Sequence, residues 1–132
     1  ISMLRVSEDL VEEEREKQMA VIHARAVAYR RIHPKIPLKG RIVILTDDGI
    51  ATGSTMRAAI HSARAEGPRE LVVTLPVGPA EQVEEFRKEV DRMVCLLAPE
   101  DFMAVGQFYE IFEQVDDEDV ERILLKFSRS AI

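Results

Sequence analysis

The stretch that decides the fold is Ile42-Val43-Ile44-Leu45-Thr46-Asp47-Asp48-Gly49-Ile50-Ala51-Thr52-Gly53-Ser54-Thr55. It opens with an aliphatic, β-branched run from Ile42 to Leu45, which is typical of a strand buried on both faces of a parallel sheet. Two acids and a glycine-containing turn follow, and a helical pattern begins near Ser54. A strand, a turn and a helix in this order form the first half of a βαβ unit. The stretch therefore predicts an α/β fold.

Upstream of this stretch, the sequence predicts a long charged helix. Residues from Ser7 to about Arg31 contain no Gly or Pro and are mostly strong helix formers. Ser7 suits the N-cap, and residues 1–6 form a short apolar segment that would suit a strand. Apolar residues at spacings of three and four predict one buried stripe on this helix, made by Met19, Ile22, Ala26 and Tyr29.

Downstream, strand and helix patterns continue to alternate. The predicted elements are a helix with Met56, Ala59, Ile60 and Ala63 on one side, a strand at Leu71–Leu75 ended by Pro76, a helix from Glu81 to about Val90, a strand at Met93–Leu97 and a helix from Asp116 to about Phe127. We expect one domain over 1–132, with a helix and loop at 1–40, a βαβαβ core at 41–98, and an aromatic loop and C-terminal helix at 99–132. Three strands make a thin sheet, and the chain does not begin with Met, so we expect the domain to be incomplete at its N-terminus.

Composition excludes several classes of function. A net charge of −6 and a pI near 5.1 argue against a nucleic-acid binder that relies on phosphate attraction. The sequence lacks an apolar run of the roughly 20 residues that span a bilayer, so we expect no membrane association. The single cysteine, Cys95, rules out an internal disulfide, and a reducing, cytoplasmic setting is the default expectation.

The residues after the first strand have the chemistry of a sugar-phosphate site. Asp47 and Asp48 arrive at the carboxyl edge of the sheet, where open α/β sheets bind ligands. Small residues in the turn allow the backbone to approach a ligand closely, and the start of the helix offers free amides and the positive end of its dipole to an anion. We therefore expect ligand hydroxyls on the two acids and a phosphate in the turn, beside the hydroxyls of Thr52, Ser54 and Thr55.

Residues 43–55 resemble the phosphoribosyl pyrophosphate (PRPP) signature of type I phosphoribosyltransferases: four mostly apolar residues, two acids, two variable positions and a small-Thr-Gly-small-Thr turn. The resemblance implies a Rossmann-like α/β fold with helices flanking a parallel sheet, here expected to lack its N-terminal strands. It implies that Asp47 and Asp48 hold the ribose 2′- and 3′-hydroxyls. The 5′-phosphate site would be formed by Gly49, Ile50, Ala51, Thr52, Gly53, Ser54 and Thr55.

Much of the chain is similar to an uncharacterised bacterial and archaeal subgroup of this family, which carries its pyrophosphate loop and first strands upstream of the charged helix. The resemblance implies a PRPP-dependent transferase acting in nucleotide and nucleoside metabolism, a homodimer, with Mg²⁺ as cofactor, PRPP or a nucleotide monophosphate as ligand and a nitrogen acceptor such as a nucleobase. Hypoxanthine–guanine enzymes have an Asp where this chain has Ala51, whereas adenine enzymes have Ala-Thr-Gly. No catalytic residue is identified, and the candidate base contacts are Phe102, Phe108 and Tyr109.

Other interpretations remain open from the sequence. The chain could be a non-catalytic PRPP- or nucleotide-binding module or an inactive fragment, and aromatic residues at such spacings often simply close a core. A receiver-type signalling domain also has paired acids at a strand end, but the two later strands end in Pro76 and Ala98 instead of a phospho-acceptor Asp. The three histidines have no metal-ligand spacing, so no residue is predicted to bind a metal directly.

Overall fold

The computed structural model describes residues 8–128, so the strand expected at 1–6 and the N-cap expected at Ser7 lie outside the described residues. The elements are α1 Glu8–Ile32, β1 Ile42–Thr46, α2 Ser54–Ala65, β2 Glu70–Val77, α3 Ala80–Glu89, β3 Arg92–Leu97, a 3₁₀ helix Val105–Phe108 and α4 Asp117–Ser128. The order and type of the α-helices and strands agree with the sequence prediction, whereas the 3₁₀ helix lies in a segment predicted to be a loop. The chain forms two compact units, one of residues 36–113 and one of residues 1–35 with 114–132.

The unit of residues 36–113 contains a parallel three-stranded sheet in the order β1-β2-β3. Thr46 at the end of β1 lies opposite Thr74 of β2, and Val77 at the end of β2 lies opposite Leu97 of β3. Because all three strands run in the same direction, their carboxyl ends meet at one edge of the sheet. The α/β fold with a parallel sheet is therefore confirmed, and this edge is where the loop after β1 begins.

The core of this unit lies between the sheet and the helices α2 and α3. Phe86 of α3 and Leu71 and Val73 of β2 are completely buried. Their apolar neighbours in the core are Val43, Ile50, Met56, Ile60, Ala63, Leu75, Val83, Val90 and Met93. Burial of this apolar surface is the main favourable term that holds α2 and α3 against the sheet.

The prediction that the first strand is buried on both faces is wrong for β1. Val43 is buried, but Ile42 and Ile44 on the opposite face are 50% and 62% exposed. Successive side chains of a strand point to opposite faces, and in this unit the core lies on one face only. The central strand β2 differs, because Leu71, Val72 and Val73 are buried in succession.

The second predicted strand continues through Pro76 instead of ending there, because β2 extends to Val77. Proline lacks the N–H that a sheet ladder requires. Pairing between β1 and β2 extends only as far as Thr46 and Thr74. Beyond Thr74, β2 pairs with β3 alone, so a residue without a donor is tolerated at that position.

In the other unit, Asp117 at the start of α4 joins this helix to α1. Its carboxylate accepts a hydrogen bond from Tyr29 Oη at 2.6 Å and pairs with Arg25 Nε at 2.9 Å. The Tyr29 hydroxyl and the Arg25 guanidinium hold the pKa of Asp117 below its usual range. The anionic carboxylate also suits the positive end of the α4 dipole.

The buried stripe predicted on α1 is wrong. No residue of α1 is buried, and Met19 and Ile22 are more than half exposed. In this unit a helix of 25 residues has one described partner helix of 12 residues, α4, and most of its large apolar side chains are exposed. Neither α1 nor any other helix within residues 8–128 has both the length and the apolar character needed to cross a membrane.

Replacing Leu71 by Ala should lower the free energy of unfolding by about 2–5 kcal/mol, because Leu71 is completely buried and the change leaves a cavity in the core. Leu96→Ala is the matched control: Leu96 lies in β3 but is 81% exposed, so its loss should change stability by less than about 0.5 kcal/mol. Urea unfolding of both variants measures the difference. Equal losses would contradict the assignment of the core to one face of the sheet.

Candidate functional site

The loop between β1 and α2 encloses a cavity of about 190 Å³ at the carboxyl edge of the sheet. Its lining consists of Asp47, Gly49, Ile50, Ala51, Thr52, Gly53, Ser54, Thr55 and Met56. These are the residues predicted from the sequence, with Met56 added and Asp48 left out. The structure therefore brings one acid, the turn and the start of α2 around a single cavity.

Ile50 anchors the loop to the end of β2. Its N–H donates to the carbonyl of Val77 at 3.2 Å, and its side chain is only 4% exposed. A Cβ on Gly78 would lie 2.6 Å from Ile50 Cγ1, so this side chain fits only because residue 78 is a glycine. The N–H of Gly78 in turn donates to the carbonyl of Leu97 at 3.1 Å. The loop is thus tied through β2 to the end of β3.

Gly53 places the start of α2 against the core. Its φ of +74° lies in the left-handed region that favours glycine. A Cβ there would come within 2.6 Å of two ring carbons of Phe86, which is completely buried. Both the backbone conformation and the close approach to the ring therefore require glycine at this position.

The first turn of α2 has the features of an anion site. Gly53 supplies no side-chain cap, and the Ser54 amide donates a long hydrogen bond of 3.4 Å to Thr52 Oγ1. The hydroxyls of Thr52 and Ser54 form a hydrogen bond of 3.1 Å with each other. No acidic residue lies in this turn. Amides without a cap, two hydroxyls and the positive end of a helix dipole together favour a bound anion.

The two acids have different surroundings. Asp47 lines the cavity, and its Oδ1 accepts a hydrogen bond from the Asp48 amide at 3.0 Å. Asp48 is outside the lining, and partial burial, with a smaller contribution from the charge of Asp47, raises the pKa of its carboxyl above the ordinary value. A hydroxyl donor or a cation beside Asp48 would favour its ionised form.

The three predicted base-contact residues do not line the cavity, but one of them touches the loop. Tyr109 Oη donates to the carbonyl of Asp48 at 2.6 Å, and its ring packs against Phe112 with centroids 5.1 Å apart. The rings of Phe102 and Phe108 stack on each other at 5.4 Å. Because these rings lie outside the cavity lining, their role as base contacts stays a prediction.

Sequence reasoning missed the contribution of Val105. A Cβ on Gly49 would lie 2.8 Å from Val105 Cγ1 and 3.0 Å from Val77 Cγ1. The loop is therefore packed from two sides, by the end of β2 and by the 3₁₀ helix. The only sequence signal was the glycine itself, which indicates a close neighbour but does not identify it.

Neither a preformed metal-binding cluster nor the groove of the other unit adds to this candidate site among the described residues. Among residues 8–128, no group of three or more His, Cys, Asp or Glu side chains is placed to bind a metal ion. The unit of residues 1–35 with 114–132 has a larger groove of about 260 Å³, mostly apolar, between α1 and α4. None of the predicted site residues lies there, so its size does not make it the functional site.

Gly53→Ala should destabilise the chain more than Gly67→Ala. Both glycines have a positive φ, so each substitution should cost about 1–2 kcal/mol of backbone strain. Gly67 has open space where a Cβ would be, whereas at Gly53 the methyl group would collide with Phe86 and add about 1–3 kcal/mol. Urea unfolding of the two variants isolates the contact with the ring, and equal destabilisation would show that this contact is unimportant.

Asp48→Asn should stabilise the chain at pH 7. A folded-state pKa above the unfolded value of about 3.9 means that the native state binds the proton more tightly, so Asp48 lowers stability as pH rises through that window. The gain from Asn should disappear near pH 3, where the carboxyl is protonated in both states. Thermal unfolding at the two pH values measures the gain.

Asp91→Asn is the control of opposite sign. The Leu71 amide and the Arg64 guanidinium lower the pKa of Asp91, so its contribution to stability is present above the unfolded pKa and lost as pH falls through the folded pKa. This variant should be less stable than the parent at pH 7 and should approach it at low pH. If Asp48→Asn behaved like Asp91→Asn, the raised pKa of Asp48 in the folded state would be refuted.

Comparison with known proteins shows the family to which the chain belongs. Residues 4–111 match the family described as "Phosphoribosyl transferase domain". Two proteins from two strains of Mycobacterium tuberculosis, each named as an unconfirmed phosphoribosyl transferase, are 44% identical over 108 residues, which cover 82% of this chain and 24% of theirs. The crystal structure of TT1426 from Thermus thermophilus superposes with a TM-score of 0.79 and 46% identity, over 93% of this chain and 59% of that chain. The chain spans about a quarter of the length of the curated relatives, and it belongs to the phosphoribosyl transferase family.

Proposed function

We propose that this chain binds the ribose 5-phosphate part of PRPP and takes part in transfer of the phosphoribosyl group to a nitrogen acceptor such as a nucleobase. The observation that supports this proposal is the arrangement of the cavity: Asp47 lies in its wall together with the uncapped start of α2. A pentose phosphate has the matching chemistry, with adjacent hydroxyls and a terminal dianion on one small molecule.

The start of α2 would hold the 5′-phosphate. The amides of its first turn have no side-chain cap from Gly53, and the hydroxyls of Thr52 and Ser54 lie beside them. A phosphate placed there would accept hydrogen bonds from the backbone amides at the start of the helix. Gly49 and Gly53 allow the turn to pack closely against Val105 and Phe86, which places its backbone around the cavity.

The acids would hold the ribose. One oxygen of Asp47, Oδ1, accepts the Asp48 amide, which leaves the second oxygen to accept a ribose hydroxyl. Asp48 would take the neighbouring hydroxyl. Ribose hydroxyls and a cation would both relieve the unfavourable proximity of two negative charges, the source of part of the raised pKa of Asp48.

The proposed transfer breaks the bond between C1 of the ribose and pyrophosphate and forms a bond between C1 and a nitrogen of the acceptor, which loses a proton. Charge develops on the ribose ring in the transition state, so the protein would act mainly by orientation and electrostatic stabilisation. Mg²⁺, when bound, would neutralise the leaving pyrophosphate. Since no cluster of three acidic, His or Cys side chains is placed for a metal among residues 8–128, ligand oxygens and water would supply most of its coordination.

A second candidate function is a PRPP- or nucleotide-binding module without turnover. Within the described part of the chain, no basic side chain lines the cavity, so the lining offers groups for a ribose and one phosphate but no cation for a pyrophosphate. A panel of purine and pyrimidine bases with PRPP and Mg²⁺, assayed for pyrophosphate release, separates the two candidates. Release with any base supports the transferase, whereas binding without release supports the module.

Asp47→Asn should weaken ribose 5-phosphate but not inorganic phosphate. Loss of a charged acceptor should cost about 1.5–3 kcal/mol, a decrease in affinity of about ten- to a hundredfold for the sugar phosphate. Inorganic phosphate should bind equally well or more tightly, because a negative charge near an anion has been removed. Calorimetric titration of both ligands measures the two affinities.

Asp9→Asn is the matched control, since it makes the same change in net charge on α1. This variant should bind both ligands like the parent chain. If Asp47→Asn kept the parent affinity for ribose 5-phosphate, the assignment of Asp47 to the ribose would be refuted. If the parent chain bound neither ligand, the cavity would not be the phosphoribosyl site.

A further inference from the structure

We propose that Tyr109 is a positioning residue for the ribose-binding acids, acting through its hydroxyl on the backbone of Asp48. This proposal rests on the proposed function, because it assumes that the loop after β1 binds a pentose phosphate. Its basis is the hydrogen bond of 2.6 Å from Tyr109 Oη to the Asp48 carbonyl, between residues 61 positions apart in the chain.

This hydrogen bond connects Tyr109 to the cavity through the backbone of Asp48 and the side chain of Asp47. The Asp48 carbonyl accepts from Tyr109, while the Asp48 amide donates to Oδ1 of Asp47 at 3.0 Å. The backbone of Asp48 is thus held on both sides, and the carboxylate of Asp47, which lines the cavity, is held through it. Tyr109 acts on the ligand-binding carboxylate without lining the cavity itself.

Val105 makes a second contact at the next residue of the loop. Gly49 lies so close to Val105 that a Cβ there would be only 2.8 Å from Val105 Cγ1. Two successive loop residues therefore contact the segment of residues 101–112, one by a hydrogen bond and one by packing. The hydrogen bond fixes the direction of the Asp48 carbonyl, which packing alone does not determine.

The segment that carries Tyr109 is itself held in place. Gln107 Oε1 accepts hydrogen bonds from the amides of Met103 and Ala104, and its Nε2 donates to the Asp101 carbonyl. The ring of Tyr109 packs on Phe112. These contacts hold the segment that carries the Tyr109 hydroxyl. Removing the hydroxyl would therefore free the Asp48 carbonyl and leave the segment in place.

Removing the hydroxyl should lower the fraction of molecules in which the acids are correctly placed, and apparent affinity falls with that fraction. A net hydrogen bond is worth enough to change such a population by about three- to tenfold. The amides at the start of α2 are anchored separately, by Ile50 on β2 and Gly53 on Phe86. Phosphate binding should therefore be insensitive to the change.

The test is calorimetric titration of the parent chain, Tyr109→Phe and Tyr29→Phe with ribose 5-phosphate and with inorganic phosphate, alongside thermal unfolding. The chain has two tyrosines, and Tyr29 also donates a hydrogen bond of 2.6 Å to an aspartate, but in the other unit. Tyr109→Phe should weaken ribose 5-phosphate about three- to tenfold with unchanged phosphate affinity. Tyr29→Phe should leave both affinities unchanged.

Each other outcome overturns a specific statement. Equal binding of ribose 5-phosphate by Tyr109→Phe and the parent chain would refute the positioning role and leave the proposed function standing. Parallel loss of both ligands, with a lower melting temperature, would show that Tyr109 acts only on stability. Failure of the parent chain to bind ribose 5-phosphate more tightly than phosphate would overturn the proposed function and, with it, this inference.

Discussion

The side chain of Ile50 occupies the space that a Cβ on Gly78 would need, and its amide donates to the carbonyl of Val77. This contact decides where the loop after β1 leaves the sheet, because it attaches the middle of the loop to the neighbouring strand. The cavity opens around this anchored point. Ile50 is itself part of the cavity wall, with Asp47 and Gly49 before it and the turn and the start of α2 after it.

The structure accepts local costs where the cavity forms. Gly53 holds a left-handed backbone conformation against a buried ring, and Asp47 and Asp48 place two carboxyl groups side by side, with a raised pKa for Asp48. Glycine adopts a positive φ without a steric penalty, so the cost lies with the acids. Partial burial, with a smaller contribution from the charge of Asp47, disfavours the ionised form of Asp48. Hydroxyl donors of a sugar phosphate would offset that cost.

The sequence was sufficient for the order of the helices and strands and for the parallel sheet, because these depend on local patterns: an aliphatic run, a glycine turn and helix periodicity. It also identified the loop that lines the cavity, although Met56 was missed and Asp48 lies outside the lining. It was insufficient for burial. The apolar face of β1 at Ile42 and Ile44 and the stripe on α1 read as core, yet both are largely exposed, since burial depends on what packs opposite. The extension of β2 through Pro76 likewise depended on where β1 stops pairing. Periodicity identifies an apolar face but does not supply its partner.

The contacts of Val105 and Tyr109 with the loop could not be predicted from local sequence patterns either, because they join residues more than fifty positions apart. They hold the loop from positions that do not line the cavity. In the proposed function both parts of the site would use the backbone: the amides at the start of α2 for the phosphate, and the Asp48 amide to hold Asp47. A site of this kind is specified by the residues that shape its backbone, namely the glycines and their neighbours. Substitutions at those neighbours should therefore alter binding without removing any group that contacts the ligand.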